Sequence, residues 1–372
     1  MRIRAAVTET PGGPFTVREV ELEVPRPREV LVRITAAGVC HTDLSSQAAW
    51  PAELMPMVFG HEGTGVVEAV GVEVTGITPG DHVVLTFHSC GACAQCAAGH
   101  PAYCHAMRAL NASGGRADGS TPLSRGGAPV RGAFFGQSSF ATHALAHERN
   151  TVRIPADLPP AVAAPLGCGV QTGAGTVLNR LRPEPGSSLV VIGAGGVGLS
   201  AVMAGVIAGC DPVVVVEPVA SRRAVAVSLG ARAALDPADG DEIVAALLDL
   251  TGGGARHIVD TTSRPEMLAR ALGALRHRGD LALTGIGTRV PFDVMSLLSK
   301  GVRLHGVIEG DADPARFIPE LVALYRQGRL PVDRLVTTFP FEDIDAAVRG
   351  MRDGSAIKPV LVLGSSAERS TG

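Results

Sequence analysis

Leu189-Val190-Val191-Ile192 runs straight into Gly193-Ala194-Gly195-Gly196-Val197-Gly198, and an apolar stretch follows as far as Ala208. A buried strand, a tight glycine turn and a helix in that order leave few folds open. In a G-x-G-x-x-G turn the first glycine permits the bend and the second lets a pyrophosphate approach the backbone. The third lets helix and strand pack closely, while the helix N-terminus supplies N–H groups and partial positive charge. The chain has 46 glycines, so the spacing gains its force from context. Val213–Val216 reads as a second buried strand, and Glu217 ends it 19 residues after Gly198. A carboxylate there accepts hydrogen bonds from the adenosine ribose hydroxyls and repels a 2′-phosphate, so NAD is expected over NADP. Arg222 and Arg223 are the counter-signal, because a guanidinium near that ribose accommodates a phosphate.

Strand and helix segments go on alternating to about residue 305, with Ile258-Val259 and Leu281-Ala282-Leu283 as further strands. That alternation predicts a parallel sheet covered by helices on both faces. The first 165 or so residues differ: short runs such as Glu29-Val30-Leu31-Val32-Arg33-Ile34 and Gly65-Val66-Val67-Glu68-Ala69-Val70 sit between Gly and Pro turns, which predicts a mainly β domain. Residues 111–130 carry no apolar period and read as a loop. Near the C-terminus come an amphipathic stretch (318–326), a strand-like Leu361-Val362-Leu363 and a polar tail from Ser365, expected to be disordered.

Cys90, Cys93, Cys96 and Cys104 form a C-x2-C-x2-C-x7-C run. A turn folds four such thiolates around one tetrahedral Zn²⁺, whereas two disulfides would be cramped there. With all four positions filled by cysteine, this site is closed and structural. Cys40, His61 and Cys168 lie in three separated segments and offer a Cys₂His set, three protein ligands that leave a fourth position for water or substrate. Cys210, the remaining cysteine, reads as a small buried apolar residue.

Composition narrows the classes. With 33 basic and 36 acidic residues the net charge is -3, and no basic stripe suggests a nucleic-acid partner. The longest apolar runs are broken by glycine and do not read as membrane spans. Met1-Arg2-Ile3-Arg4-Ala5 leads into a strand-like stretch and not a signal peptide, and thiols set out for metal suit a reducing compartment, so the cytoplasm is expected.

In their order along the chain, Gly38-Val39-Cys40-His41-Thr42-Asp43, Gly60-His61-Glu62-Gly63, the four-cysteine lobe, Gly167-Cys168-Gly169 and the glycine turn resemble the zinc-containing medium-chain alcohol dehydrogenases over nearly the whole chain. The stretches Val170-Gln171-Thr172-Gly173-Ala174-Gly175, Val307-Ile308-Glu309-Gly310-Asp311 and Ile357-Lys358-Pro359-Val360 are most similar to the aryl-alcohol (benzyl-alcohol) dehydrogenases. The resemblance implies an α/β fold: a Rossmann doubly wound parallel sheet (169–305) inserted in a β-rich, GroES-like catalytic domain (1–168, with a structural zinc lobe at 88–106). That domain regains 306–372, and the active cleft lies between the two domains. A homodimer built on a strand near Val302 is implied, with a tetramer left open.

The same resemblance implies two zinc ions per subunit and NAD. Cys40, His61 and Cys168 would hold the catalytic ion, with Glu62 an occasional ligand and Asp43 hydrogen-bonded to the far nitrogen of His61. Thr42 would take a hydrogen bond from the alcohol, and Thr172 and Val197 would press on the nicotinamide. Gly193, Gly195, Gly196, Gly198, Glu217 and Arg222 would hold the dinucleotide, with His41 and Lys358 at its pyrophosphate. Many members carry a proton-relaying histidine three residues after the threonine; here Ser45 stands there, and His41 is expected to take over the relay. Trp50, Leu110, Phe134 and Phe135 are the candidates for an apolar substrate pocket. The expected reaction is oxidation of a benzylic or allylic primary alcohol to its aldehyde with reduction of NAD. The alternatives are a thiol-dependent formaldehyde dehydrogenase of the same fold and a non-catalytic nucleotide-binding or structural protein.

Overall fold

The four residues of Leu189–Ile192 are all buried, and so are the four of Val213–Val216, as an unbroken apolar run in a parallel sheet requires. The computed structural model describes residues 1–239, 242–287 and 289–364. Among them six parallel strands form one sheet, in the order Ala233–Leu235, Val213–Val216, Leu189–Ile192, Ala255–Asp260, Leu275–Leu283 and Arg303–Gly306. Numbered along the chain that is 3-2-1-4-5-6, the doubly wound order, and the glycine turn leaves strand 1 at the point where the order reverses. Helix Gly196–Ile207 packs so tightly on this sheet that a Cβ on Gly205 would lie 2.4 Å from Leu189 Cδ2.

This sheet belongs to a unit made of Gly169–Ala312 and Ala323–Val332. The unit therefore reaches beyond the expected boundary at 305. Val307 N–H donates to Leu283 O at 2.9 Å, and buried Gln171 donates through Nε2 to Glu309 Oε2 at 2.9 Å. A Cβ on Gly310 would meet Gln171 O at 2.1 Å. The segment after the last strand is thus bound to helix Gly169–Gly175, and Arg329 Nη2 donates to Ile207 O at 3.4 Å.

The other unit comprises Met1–Cys168, Asp313–Val322 and residues from Asp333 onward. One of its sheets runs in the order Met57–Val58, Arg2–Thr8, Thr16–Leu22, Leu123–Arg125 and Ala128–Val130. The last two strands fall in the stretch 111–130 expected to be a loop. Buried Leu123 pairs with Leu22 and Val130 with Leu123, so two apolar residues suffice to bring this glycine-rich segment into the ladder. The second sheet orders Thr151–Arg153, His82–Leu85, Glu62–Val70, Glu29–Gly38, Lys358–Val362 and Val336–Pro340, with His143–His147 also paired to Glu29–Gly38. The core of this unit is aromatic and branched: Phe15 meets Phe59 and Phe140 edge-on at 6.4 and 5.7 Å, among Val7, Val30, Val32 and Leu85. Each such side chain contributes roughly 1.5–3 kcal/mol on burial. Strand Glu29–Gly38 pairs with the returning Lys358–Val362 through Gly38 and Val360, which sets Lys358 near the chain's first cysteine. The polar tail from Ser365 lies outside the described residues. Among the described residues no single helix is long and apolar enough to cross a membrane.

Candidate active site and metal centres

Two clusters of metal-type side chains form in the unit that begins at Met1. In one, Cys40, His61, Glu62 and Cys168 bring their ligand atoms within 4.8 Å of one another. Cys40 caps helix His41–Ala49, Glu62 opens strand Glu62–Val70 right after His61, and Cys168 ends the turn Ala164–Gly167. Asp43, fully buried, orders this arrangement. Its Oδ1 lies 2.7 Å from His61 Nδ1 and accepts the Gly60 N–H at 3.1 Å, while Oδ2 accepts the Cys40 N–H at 3.0 Å. A carboxylate at Nδ1 calls for the proton there and leaves the lone pair on Nε2. His61 Nε2 is buried without a hydrogen-bond partner. A bare buried nitrogen is costly unless a ligand takes it up. Two thiols and an inward-facing imidazole lone pair fit a Zn²⁺ that keeps one position open. A hydrogen bond from Cys168 pulls the Cys40 thiol well below its usual range, against the opposing effect of burial.

The second cluster is Cys90, Cys93, Cys96 and Cys104, whose sulfurs also fall within 4.8 Å of one another. Backbone N–H groups already point at them: Ala92 and Cys93 donate to Cys90 Sγ at 3.5 and 3.4 Å, Cys90 to Cys104 Sγ at 3.2 Å, and His105 to Cys93 Sγ at 3.5 Å. The backbone of Cys96 and then that of His105 hold the Cys93 thiol down at about 6. Four sulfurs so supported suit a closed tetrahedral Zn²⁺ site.

The glycine turn belongs to the other unit. Gly193 adopts φ +92°, and a Cβ on Gly198 would stand 1.8 Å from Gly193 O, so strand and helix meet at backbone contact. Gly195, which caps helix Gly196–Ile207, is the opposite case: a Cβ there would meet nothing within 4 Å. Open space against a helix N-terminus is the cradle a pyrophosphate needs. Glu217 is buried at the mouth of this cradle and accepts the N–H of Ala194 at 2.7 Å and of Val219 at 2.9 Å.

A family model described as "Alcohol dehydrogenase GroES-like domain" matches residues 26–156, and one described as "Zinc-binding dehydrogenase" matches 196–326. A geraniol dehydrogenase of Castellaniella defragrans is 48% identical over 363 residues, 96% of this chain and 97% of the relative. The chain belongs to the zinc-binding alcohol dehydrogenases. Among solved structures, a zinc-binding-domain alcohol dehydrogenase from Burkholderia ambifaria superposes with a TM-score of 0.95 at 46% identity, covering 98% of this chain and 100% of its own. The benzyl alcohol dehydrogenase of Acinetobacter calcoaceticus gives 0.94 at 42%, with the same coverage of 98% and 100%.

In this dehydrogenase several expected site residues are built into the protein's own packing. Lys358, expected at the pyrophosphate, is 5% exposed and is held beside the metal cluster. Its Nζ donates to Glu62 Oε1 and Oε2 at 2.8 and 2.9 Å and to Val39 O at 3.4 Å. Burial disfavours its charge, but the Glu62 carboxylate together with the Cys40 and Cys168 thiols more than offsets that and raises Lys358 above the usual range. A strand that pairs with Glu29–Gly38 delivers the lysine to the metal cluster. Trp50 and Phe134 belong to the core, with Trp50 edge-on to Phe59 at 5.4 Å and to Phe134 at 5.7 Å. Both phenylalanines also meet the His61 imidazole, Phe134 edge-on at 5.7 Å and Phe135 stacked at 4.5 Å. Leu110 lines a separate pocket of about 370 Å³ with His88, Arg116 and His147, which no residue of the cluster borders.

The remaining expected site residues have the following surroundings. Thr42 Oγ1 is 3.7 Å from Cys40 Sγ, and the Ser45 hydroxyl donates to Thr42 O at 3.3 Å. His41 is exposed at the start of its helix. Thr172 is buried on helix Gly169–Gly175, which meets the helix bearing Val197 so closely that a Cβ on Gly173 would be 2.0 Å from Val197 O. Arg222 is half-buried on helix Ala220–Ser228. Its neighbour Arg223 is committed to structure, donating through Nη1 to the carbonyls of Glu217 and Pro218 and to Asp236 at 2.7–2.8 Å. Cys210 is buried, and burial pushes its thiol up to about 11.

Proposed function

We propose that this dehydrogenase oxidises benzylic or allylic primary alcohols to aldehydes, with NAD as the hydride acceptor: R-CH2OH + NAD⁺ gives R-CHO + NADH + H⁺. The observation that carries the chemistry is the bare Nε2 of His61 facing the thiols of Cys40 and Cys168. Zinc held by Cys40, His61 and Cys168 would supply a Lewis acid that makes a bound hydroxyl far more acidic, as water falls from about 15.7 to about 7 in the best-known case. Nicotinamide supplies the hydride acceptor.

The chain's residues do the rest. Asp43 keeps the His61 ring fixed, and Phe135 covers one face of it against water. Thr42, beside Cys40, takes the hydrogen bond of the alcohol, and His41 passes its proton to solvent because the Ser45 hydroxyl is engaged with the Thr42 carbonyl. Glu217 selects NAD: a buried carboxylate already anchored by two backbone N–H groups meets ribose hydroxyls and repels a 2′-phosphate. Arg223, spent on Asp236 and two carbonyls, is not available to receive such a phosphate. The substrate class is supported by the names of the relatives, geraniol dehydrogenase and benzyl alcohol dehydrogenase.

The test is a matrix of benzyl alcohol, geraniol, ethanol and a formaldehyde–glutathione adduct against NAD and NADP. The proposal expects kcat/KM for the first two with NAD to exceed ethanol at least about a hundredfold, a difference of about 3 kcal/mol in transition-state binding. Preference for the thiol adduct would replace the substrate reading, and inactivity of a protein carrying two zinc ions would remove the enzyme.

A further inference from the structure

We infer that Thr86 and Gln137 are positioning residues that set the distance between His61 and Cys168 before any metal binds. The inference rests on the reading of Cys40, His61 and Cys168 as the metal-holding set, and it concerns how that set is built. His61 and Cys168 stand 107 residues apart in the chain, and the Asp43 carboxylate binds the Cys40, Gly60 and His61 side of the set.

A second buried network closes this gap. Gln137 Nε2 donates to His61 O at 2.9 Å and to Thr86 O at 3.2 Å, while its Oε1 accepts the Gly63 N–H at 3.0 Å. One side chain therefore grips the backbone on both sides of Glu62. Thr86 Oγ1 donates to Gly167 O at 2.7 Å, the carbonyl of the residue that precedes Cys168. The run of contacts is continuous: His61 carbonyl, Gln137 amide, Thr86 carbonyl, Thr86 hydroxyl, Gly167 carbonyl, Cys168. Asn150 braces the hub, donating through Nδ2 to Thr86 O at 3.1 Å, while its backbone carbonyl accepts the Thr86 N–H at 3.0 Å.

The backbone permits the approach only because residue 167 is glycine, where a Cβ would stand 2.1 Å from Leu85 O. Thr86, Gln137 and Asn150 are each no more than 2% exposed. Water is therefore no competitor for these bonds, and a buried network of this kind holds its members to one arrangement. The side-chain hydrogen bonds of this network end on backbone groups. They act through the backbone, holding two ligands at a fixed separation so that the set need not be assembled by the ion.

The experiment follows zinc itself. Holoenzyme is mixed with an excess of a coloured chelator, and the release of each of its zinc ions is timed, without substrate or dinucleotide. Thr86→Val, close to isosteric, is expected to release one ion about ten- to a hundredfold faster, the usual effect of losing an outer hydrogen-bond partner of a ligand. The other ion, in the cysteine lobe, should leave at the wild-type rate. Thr86→Ser keeps the hydroxyl and should release both ions as the wild type does. Gln137→Met should repeat the selective release and decides the matter if Thr86→Val does not fold. Wild-type release of both ions from the valine and methionine variants overturns the inference. So does faster release of both ions in step with a lower unfolding temperature, because that would mark a general loosening. The substrate reading could fail without altering any of these rates.

Discussion

Lys358 Nζ sits 2.8 and 2.9 Å from the two carboxylate oxygens of Glu62, and the two side chains are 7% and 0% exposed. Two charges so far from water persist because each is the other's counter-ion. Removing only the lysine strands a carboxylate, and breaking a buried pair in this way costs about 3–5 kcal/mol. Lys358→Met should therefore lower the unfolding free energy by an amount of that order, and adding Glu62→Gln should recover much of it. Denaturant melts of the two variants check this. A raised KM for NAD with stability unchanged would instead return Lys358 to the pyrophosphate.

Two glycines of the same turn should respond in opposite ways. Gly195→Ala adds a methyl that meets no atom within 4 Å, at a residue whose φ of -77° suits alanine. Stability should hold, while the methyl fills the space meant for the pyrophosphate and weakens NAD binding by about tenfold or more, about 1.4 kcal/mol. Gly198→Ala places its methyl 1.8 Å from Gly193 O, a backbone atom that cannot swing aside. Overpacking there should cost about 1–3 kcal/mol of stability as well as affinity. Calorimetric titration with NAD, read beside thermal melts, separates the two.

Glu217 is the discriminating carboxylate of the dinucleotide reading. Glu217→Gln retains an oxygen for the Ala194 or Val219 N–H but loses the charge that repels a 2′-phosphate. The ratio of kcat/KM for NADP to that for NAD should rise by about tenfold or more. A ratio unchanged in the variant would move nucleotide selection to other residues.

The sequence disclosed the parts whose residue types carry chemistry. Four clustered cysteines, Cys40, His61 and Cys168, and the run from Leu189 to Gly198 each point to one use, and the structure brings each group together. The pairing of Lys358 with Glu62 was not legible, because the two lie 296 residues apart and only the return of the last strand to Glu29–Gly38 joins them. Thr86 and Gln137 went unnoticed as ligand supports for another reason: threonine and glutamine are common, and nothing in their spacing announces a role. Ala133, Phe135, Gly136 and Ser138 all take positive φ, a backbone that puts Phe135 on His61 and that no local pattern encodes. The boundary at 305 missed because Gly310 and Glu309 bind helix Gly169–Gly175 by shape and one hydrogen bond rather than by an apolar period.

The proton route can be separated from the hydride step. Ser45 donates to Thr42 O and stores no proton at neutral pH, so His41 is the group expected to shape the acid side of the rate profile. In His41→Gln the single-turnover rate of hydride transfer should fall by about tenfold or more at neutral pH, with partial recovery in imidazole buffer. An acid limb identical to that of the wild type would take His41 out of the relay.

Acid stability should carry the mark of His257. This ring is 3% exposed, and burial pushes it down from 6.5 to about 4, with Asp280 opposing and Arg256, Arg276 and Arg303 assisting. Asp280 already accepts Arg256 Nη1 at 2.6 Å, Arg303 Nη2 at 2.7 Å and His305 Nε2 at 2.8 Å, so a further cation beside it gains little. Between pH 6.5 and about 4 the unfolded chain binds a proton that folded His257 refuses. Stability contributed by this group is therefore full above pH 6.5, falls as the pH drops towards 4, and changes no further below that. One proton corresponds to a slope of at most about 1.4 kcal/mol per pH unit. His257→Asn removes the titration but leaves the carboxylates and metal ligands of both proteins alike, so the difference between the two stability curves isolates it. That difference should shrink in favour of the variant as the pH falls from 6.5 to 4, in urea melts taken at half-unit intervals. Curves that run parallel over the interval would mean that His257 takes up its proton in the folded protein as readily as in the unfolded chain.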